Sequence, residues 1–264
     1  MTILQAAFLG LVQGLTEFLP VSSSGHLAIA QHFLPNFEQP GLLFDVLLHA
    51  GTMAAVVLYF RQDLLKLLLC CRPGGNADDR RVLLLLILAS VPTAIIGLAA
   101  KDLVEQLFEV MPVVGAMLLV TGLLLFYAGK AQGSGREMAQ MNKLDALLVG
   151  IAQGLAVMPG ISRSGSTIGC LLLRGISADA AARFSFLLAL PAVGGATLLQ
   201  LKDLSQVASG ELPAYLIGTL VAFASGLVAI RLLLSVLRRR RLGGFALYCL
   251  LLGSVIIATS LLPS

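Results

Sequence analysis

Six windows of about 20 mostly apolar residues, near 42–61, 82–100, 111–130, 183–201, 214–236 and 243–262, leave this chain few ways to fold. A helix rising about 1.5 Å per residue needs roughly that length to cross about 30 Å of hydrocarbon. Composition agrees: 58% of the 264 residues are hydrophobic and 12% charged, against about 45–50% and about 25% in soluble domains. The expectation is an all-α polytopic membrane protein, a single integral membrane domain over 1–264. Intrinsic disorder and a disulfide scaffold are excluded. The net charge of +4 lies in short clusters rather than on a solvated face, so no nucleic-acid partner is expected. The apolar N-terminus has no basic stretch and carries Glu17, so it reads as structure and not as a cleaved signal.

Basic residues set the expected orientation. Placing Arg61, Lys66, Arg72, Arg80 and Arg81 inside also puts Lys130, Arg136, Lys143 and the run Arg238, Arg239, Arg240 and Arg241 inside. The outer segments keep Lys101 and Lys202 against Asp102, Glu105, Glu109, Asp203 and Glu211. Both termini and the 101–110 and 203–213 loops then face outside, and 62–81 and 131–143 face the cytoplasm.

Two apolar stretches remain, 1–35 and 144–176. Each breaks at proline, near Pro20 and at Pro159-Gly160, and each carries a serine-glycine run after the break. Neither arm beyond the break is long enough to cross. Irregular backbone at membrane depth is tolerated only where protein or a watery cavity surrounds it, so both stretches read as re-entrant helical hairpins. Hydropathy alone allows a kinked transmembrane helix equally well.

An ungapped offset of 140 residues matches Gly10 with Gly150, Gln13 with Gln153, Gly14 with Gly154, Ser22 with Ser162, Ser24 with Ser164 and Gly25 with Gly165. The register continues through Phe44 with Phe184 and Asp63-Leu64 with Asp203-Leu204. The chain therefore reads as a repeat, about 1–130 and about 141–264. One non-crossing hairpin plus three spans per copy turns the second copy upside down, an inverted-topology repeat with six full spans. Hairpins entering from opposite sides bring their polar tips together inside the protein.

Those tips carry the candidate chemistry. Ser22, Ser23, Ser24 and Gly25 precede one short helix, and Ser162, Ser164 and Thr167 surround the start of the other. Helix N-termini offer free N–H groups and partial positive charge to an anion. Serines there can also simply cap the helices. Arg163 favours the anion, because a guanidinium deep in a membrane sequence is costly and its planar fork suits phosphate. Gln13 and Glu17, four residues apart, share one helix face toward the tip, and Asp45 and His49 repeat that spacing at the outer end of the first span. A carboxylate beside histidine can charge an imidazole that then acts as base for a serine or itself attacks phosphorus, which makes His26 the partner for Ser23. In the second copy Val157 replaces Glu17, Ser166 replaces His26 and Arg163 replaces Ser23. That division of labour favours an enzyme over a carrier, although inverted repeats with broken helices also build transporters, here a polyprenyl-phosphate flippase or an anion transporter.

The segments QGLTEFLPVSSSGH (Gln13 to His26), FDVLLHAGT (Phe44 to Thr52) and PGISRSGST (Pro159 to Thr167) resemble the bacterial undecaprenyl-pyrophosphate phosphatase family of the BacA type, over the whole chain. The resemblance implies hydrolysis of undecaprenyl pyrophosphate to the monophosphate at the outer face of the bacterial inner membrane. It implies recycling of the lipid carrier for peptidoglycan synthesis, bacitracin resistance and dependence on a divalent cation, magnesium or calcium. It places Gln13 and Glu17 near the cation or histidine, with Glu17 as the metal ligand. It makes Ser23 the nucleophile, His26 the base or rival nucleophile, and puts Ser162, Arg163, Ser164 and Thr167 around the pyrophosphate. Ser22, Ser24, Gly25, Asp45 and His49 join the substrate-binding set. Gln13 stands where the family's acidic pair has its first member, leaving one carboxylate fewer for a metal. The partners implied are a polyprenyl pyrophosphate lipid and the bilayer, with a homodimer as a candidate assembly.

Overall fold

The computed structural model describes residues 1–34, 42–107, 110–131, 135–200 and 211–260. Among these the regular elements are helices joined by turns, with a short 3₁₀ helix at Met138–Gln140 and one isolated bridge between Arg136 and Ile176. The elements are α1 (Ile3–Phe18), α2 (Ser23–Phe33), α3 (Leu42–Tyr59), α4 (Arg61–Leu69), α5 (Ala77–Ala99), α6 (Lys101–Leu107), α7 (Met111–Lys130), α8 (Lys143–Leu155), α9 (Arg163–Leu173), α10 (Ala178–Gln200), α11 (Leu212–Arg238) and α12 (Gly243–Ser260). Of the outer segments expected above, 35–41, 108–109, 201–210 and 261–264 lie outside the described residues, and with them the match of Asp63-Leu64 to Asp203-Leu204.

Among the described residues four helices, α5, α7, α11 and α12, are long and apolar enough to cross a membrane, and a fifth span arises if α3 and α4 are one path bent by 73°. The chain is a multi-pass membrane protein. Its outer faces fit lipid: Leu84, Ile87, Val91, Ile95 and Leu98 along α5 are all at least half exposed, an apolar stripe that would be a liability in water. Two sequence expectations shift. The segment 62–81, expected as an inner segment facing the cytoplasm, holds α4, which bends 73° away from α3 at Phe60 and buries Leu67 while Leu65, Leu68 and Leu69 stay exposed. The second span begins at Ala77 rather than 82, since the Asn76 side chain accepts the Asp78 and Asp79 backbone N–H groups and caps an earlier start.

The stretches 1–35 and 144–176 each break into two helices. Thr2 with Gln5 and Asn142 with Asp145, pairs 140 residues apart, form capping boxes at the starts of α1 and α8. Ser22 and Ser162 cap α2 and α9 by accepting the N–H of Gly25 and Gly165. At 11 residues each, α2 and α9 are about 17 Å long, well short of a bilayer core.

Packing couples the two halves. Helix α1 lies along α11 and α8 along α5, while α7 packs on α12. Small residues permit this proximity: a Cβ on Gly10 would stand 2.3 Å from the Gly218 carbonyl oxygen, and one on Gly150 would stand 2.1 Å from that of Ala89. The largest buried apolar cluster runs through Phe18, Phe60, Phe184 and Phe186 beneath the two tips. At the start of α8, the buried Asp145 accepts from both Arg136 (2.9 Å) and Arg174 (2.8 Å), tying the first hairpin arm to the end of α9. Asp179 with Arg238 and Asp63 with Arg183 hold α10 to α11 and α4.

Candidate active site

The first tip is a constrained turn. Ser22 has φ 71°, a left-handed conformation that is costly for a residue with a side chain, on the order of 1–3 kcal/mol. Its hydroxyl takes the Gly25 N–H at 3.3 Å and lies 3.3 Å from the Ser24 hydroxyl. At the second tip Ser162 Oγ takes the Gly165 N–H at 3.1 Å. Gly160, at φ 94°, lets the backbone pass so close to Val114 that a Cβ would stand 2.4 Å from its carbonyl oxygen. The tips touch: Ser164 Oγ donates to the Leu19 carbonyl at 3.2 Å.

Glu17, only 6% exposed, is the hub where they meet. Its Oε2 accepts the Ser23 hydroxyl at 2.6 Å and Gln13 Nε2 at 2.9 Å, with His49 Nε2 at 3.5 Å. Its Oε1 is paired directly with Arg163 Nη2 from the other half of the chain. Desolvating a carboxylate and a guanidinium is tolerable only when they are matched like this. The other terminal nitrogen, Arg163 Nη1, is buried without a hydrogen-bond partner, as is Gln13 Oε1. An orphaned donor on a charged fork is a vacancy shaped for an anion oxygen.

Gln13, Glu17, Ser23, His49 and Arg163 are thus brought together, while other expected site residues have different partners. The Ser23 hydroxyl donates to Glu17 and not to His26. The His26 Nδ1 meets the Ser22 carbonyl at 2.8 Å and its Nε2 meets the Tyr248 hydroxyl at 2.6 Å. Glu17 faces His49 rather than His26, because His26 begins the second turn of α2 and points toward α12. Asp45 accepts from Gln31 Nε2 at 3.0 Å, and its backbone carbonyl, not its carboxylate, holds His49 Nδ1 at 2.8 Å. Ser162, Ser164 and Thr167 are buried. Ser164 and Thr167 commit their hydroxyls to the backbone, Thr167 also to Ser185, and Ser162 to its cap, so these side chains shape the tip from behind.

Sequence reasoning missed Tyr248 and Thr121. Thr121 Oγ1 donates to the Gly160 carbonyl at 3.1 Å and accepts the Ser162 N–H at 3.0 Å, pinning the second tip to α7. A hydroxyl inside an otherwise apolar window was the one available signal for each.

Among the described residues no three His, Cys, Asp or Glu side chains come together as a metal cage. Gln13 Oε1 and the Glu17 carboxylate are a small set of hard oxygen donors, one of them without a partner. They suit a divalent ion that keeps most of its shell on phosphate oxygens and water, as magnesium does.

The family model described as "Bacitracin resistance protein BacA" matches residues 6–255. The chain is 58% identical over 262 residues to the undecaprenyl-diphosphatase of Syntrophotalea carbinolica, covering 98% of this chain and 100% of that one. It is 42% identical over 275 residues to the undecaprenyl-diphosphatase of Alkaliphilus metalliredigens, with 99% and 100% covered. To that of Halothermothrix orenii it is 44% identical over 260 residues, with 97% and 98% covered.

Proposed function

The chain belongs to the bacitracin resistance protein BacA family, and from that premise we propose that it is a membrane phosphatase converting undecaprenyl pyrophosphate to undecaprenyl phosphate, recycling the lipid carrier of peptidoglycan synthesis and conferring bacitracin resistance. The observation that carries the mechanism is the Glu17 hub, where a serine hydroxyl from one tip and a guanidinium from the other share one buried carboxylate.

Ser23 is the nucleophile in this reading. The incoming terminal phosphate takes the unpartnered Nη1 of Arg163 and draws the guanidinium from Glu17, leaving the carboxylate free to receive a proton. Ser23 Oγ then forms a bond to the terminal phosphorus as its proton passes to Glu17. The P–O bond to the lipid-proximal phosphate breaks, and undecaprenyl phosphate departs with that bond's electrons. Water cleaves the resulting phosphoserine, releasing inorganic phosphate and returning the proton to Ser23. A divalent cation, when bound with the substrate and held by Gln13 Oε1 and Glu17, would neutralise phosphate charge. His49 adds a polar wall beside Glu17. The polyprenyl tail stays between helices while its headgroup enters, so the lipid need not leave the bilayer.

The same reading makes the architecture an inverted repeat of six spans and two re-entrant hairpins. The shared capping boxes and the exchange of partners, α1 on α11 and α8 on α5, support it. The basic ends of α4, α7 and α11 then lie in the cytoplasm and the active site opens outward across the inner membrane. Labelling a single cysteine placed at residue 238 from outside intact cells would contradict that orientation.

Phosphate release by purified protein in detergent tests the activity, since a pure carrier has no function without two compartments. The expected result is stoichiometric inorganic phosphate from undecaprenyl pyrophosphate. Its absence from a folded preparation would favour transport.

A further inference from the structure

We propose that Tyr248 is a positioning residue of this site: its hydroxyl holds the Nε2 lone pair of His26 and, with the Ser22 carbonyl on Nδ1, fixes the imidazole in its Nδ1–H form. The proposal rests on the phosphatase reading only in assigning His26 to the site.

The tautomer follows from hydrogen-bond chemistry. A carbonyl oxygen can only accept, so the 2.8 Å contact between His26 Nδ1 and the Ser22 carbonyl places the ring hydrogen on Nδ1. In the neutral ring Nε2 then carries a lone pair, and the Tyr248 hydroxyl, 2.6 Å away, is its donor. The two rings also stack, with centroids 5.6 Å apart and planes 18° from parallel. Both restraints are built by the backbone. Ser22 adopts φ 71°, and its carbonyl receives the His26 backbone N–H as well as Nδ1. Tyr248 is held by α12, where the neighbouring Cys249 is fully buried with its Sγ against the Pro20 carbonyl at 3.6 Å. The helix that carries the tyrosine is therefore fastened to the turn that carries the histidine.

The consequence concerns which atom His26 offers to substrate. With Nδ1 protonated, Nε2 is an acceptor, the state required of a base for the water that cleaves the phosphoserine. In the resting site that lone pair is masked by Tyr248. When that hydrogen bond is given up to a reacting water, Nε2 is released still unprotonated, with the ring already aligned.

Nitrogen-15 NMR of histidine-labelled protein in lipid nanodiscs reads this directly, because the chain has three histidines and a His26→Asn sample assigns the one concerned. The wild type is expected to show His26 with a protonated Nδ1 and an unprotonated Nε2. Tyr248→Phe keeps the ring and removes the donor. It should leave Nδ1 protonated against the Ser22 carbonyl but move the Nε2 resonance to that of an imidazole lone pair without a donor, and lower kcat about 10–100-fold, as loss of a partner that orients an imidazole base does, with KM within about twofold. Unchanged His32 and His49 signals report that the fold is intact. An unaltered His26 spectrum in Tyr248→Phe overturns the proposal, and so does an altered spectrum with wild-type kcat. A wild type that releases no phosphate would instead fault the phosphatase reading, and the His26 spectrum would still decide the Tyr248 contact.

Discussion

The Ser23 hydroxyl lies 2.6 Å from Glu17 Oε2, across the turn that joins α1 to α2. A serine donating to a carboxylate already has its proton's destination in place, so Glu17 does more than neutralise Arg163. Glu17→Gln keeps the shape and removes the proton acceptor. Its turnover should fall about 10²–10⁴-fold, the usual worth of a general base, in a protein that still folds but melts lower because Arg163 loses its counter-ion. Near-wild-type kcat would leave Glu17 with a purely structural role.

Arg163→Lys should lose most activity while the protein still folds. The ammonium keeps a positive charge opposite Glu17, so the buried carboxylate is not stranded, a change that otherwise costs about 3–5 kcal/mol. What is lost is the second prong, the Nη1 that has no partner in the resting site. Steady-state kinetics on the lipid pyrophosphate distinguish this from a structural role, for which kcat/KM would be retained.

Acid should loosen the start of α8 through Asp145. Burial pushes its carboxyl up, but hydrogen bonds from Arg136, the Asn142 backbone and Arg174 together hold it below the usual carboxylate range. A folded-state value below the unfolded one adds stability that is fully present above about pH 4 and lost as pH falls through the folded value. Asp145→Asn should be less stable at neutral pH, and its Tm should fall less on acidification than that of the wild type. Parallel Tm curves for the two proteins would remove Asp145 from the acid response.

The long apolar helices were legible because nothing interrupts their hydrophobicity, as in α7 and α12, and the breaks in the hairpins because proline and serine-glycine runs stand where helix must stop. Helix α4 was not, since Arg61, Asp63 and Lys66 interrupt the apolar pattern and Leu67 alone of its leucines is buried. In the site, Glu17, Ser23 and Arg163 stood out as polar groups in apolar surroundings. Their pairing did not, because which side chain a carboxylate meets depends on a contact across 146 residues. The destination of the Ser23 proton depended on where His26 points, and that is set by Tyr248 on the last helix, whose sequence window shows only one more aromatic among leucines. The strain at Ser22 left no sequence mark at all, since the position is neither glycine nor asparagine.

The central claim is that Ser23 attacks phosphorus with Glu17 taking its proton, and the covalent intermediate tests it most directly. Rapid quench with undecaprenyl pyrophosphate labelled in the terminal phosphate, followed by acid treatment and mass mapping, separates the outcomes, because a phosphoserine ester survives acid and a phosphohistidine does not. The account predicts acid-stable label on Ser23 that disappears, along with turnover, in Ser23→Ala. Acid-labile label on His26, with Ser23→Ala still turning over, would contradict it.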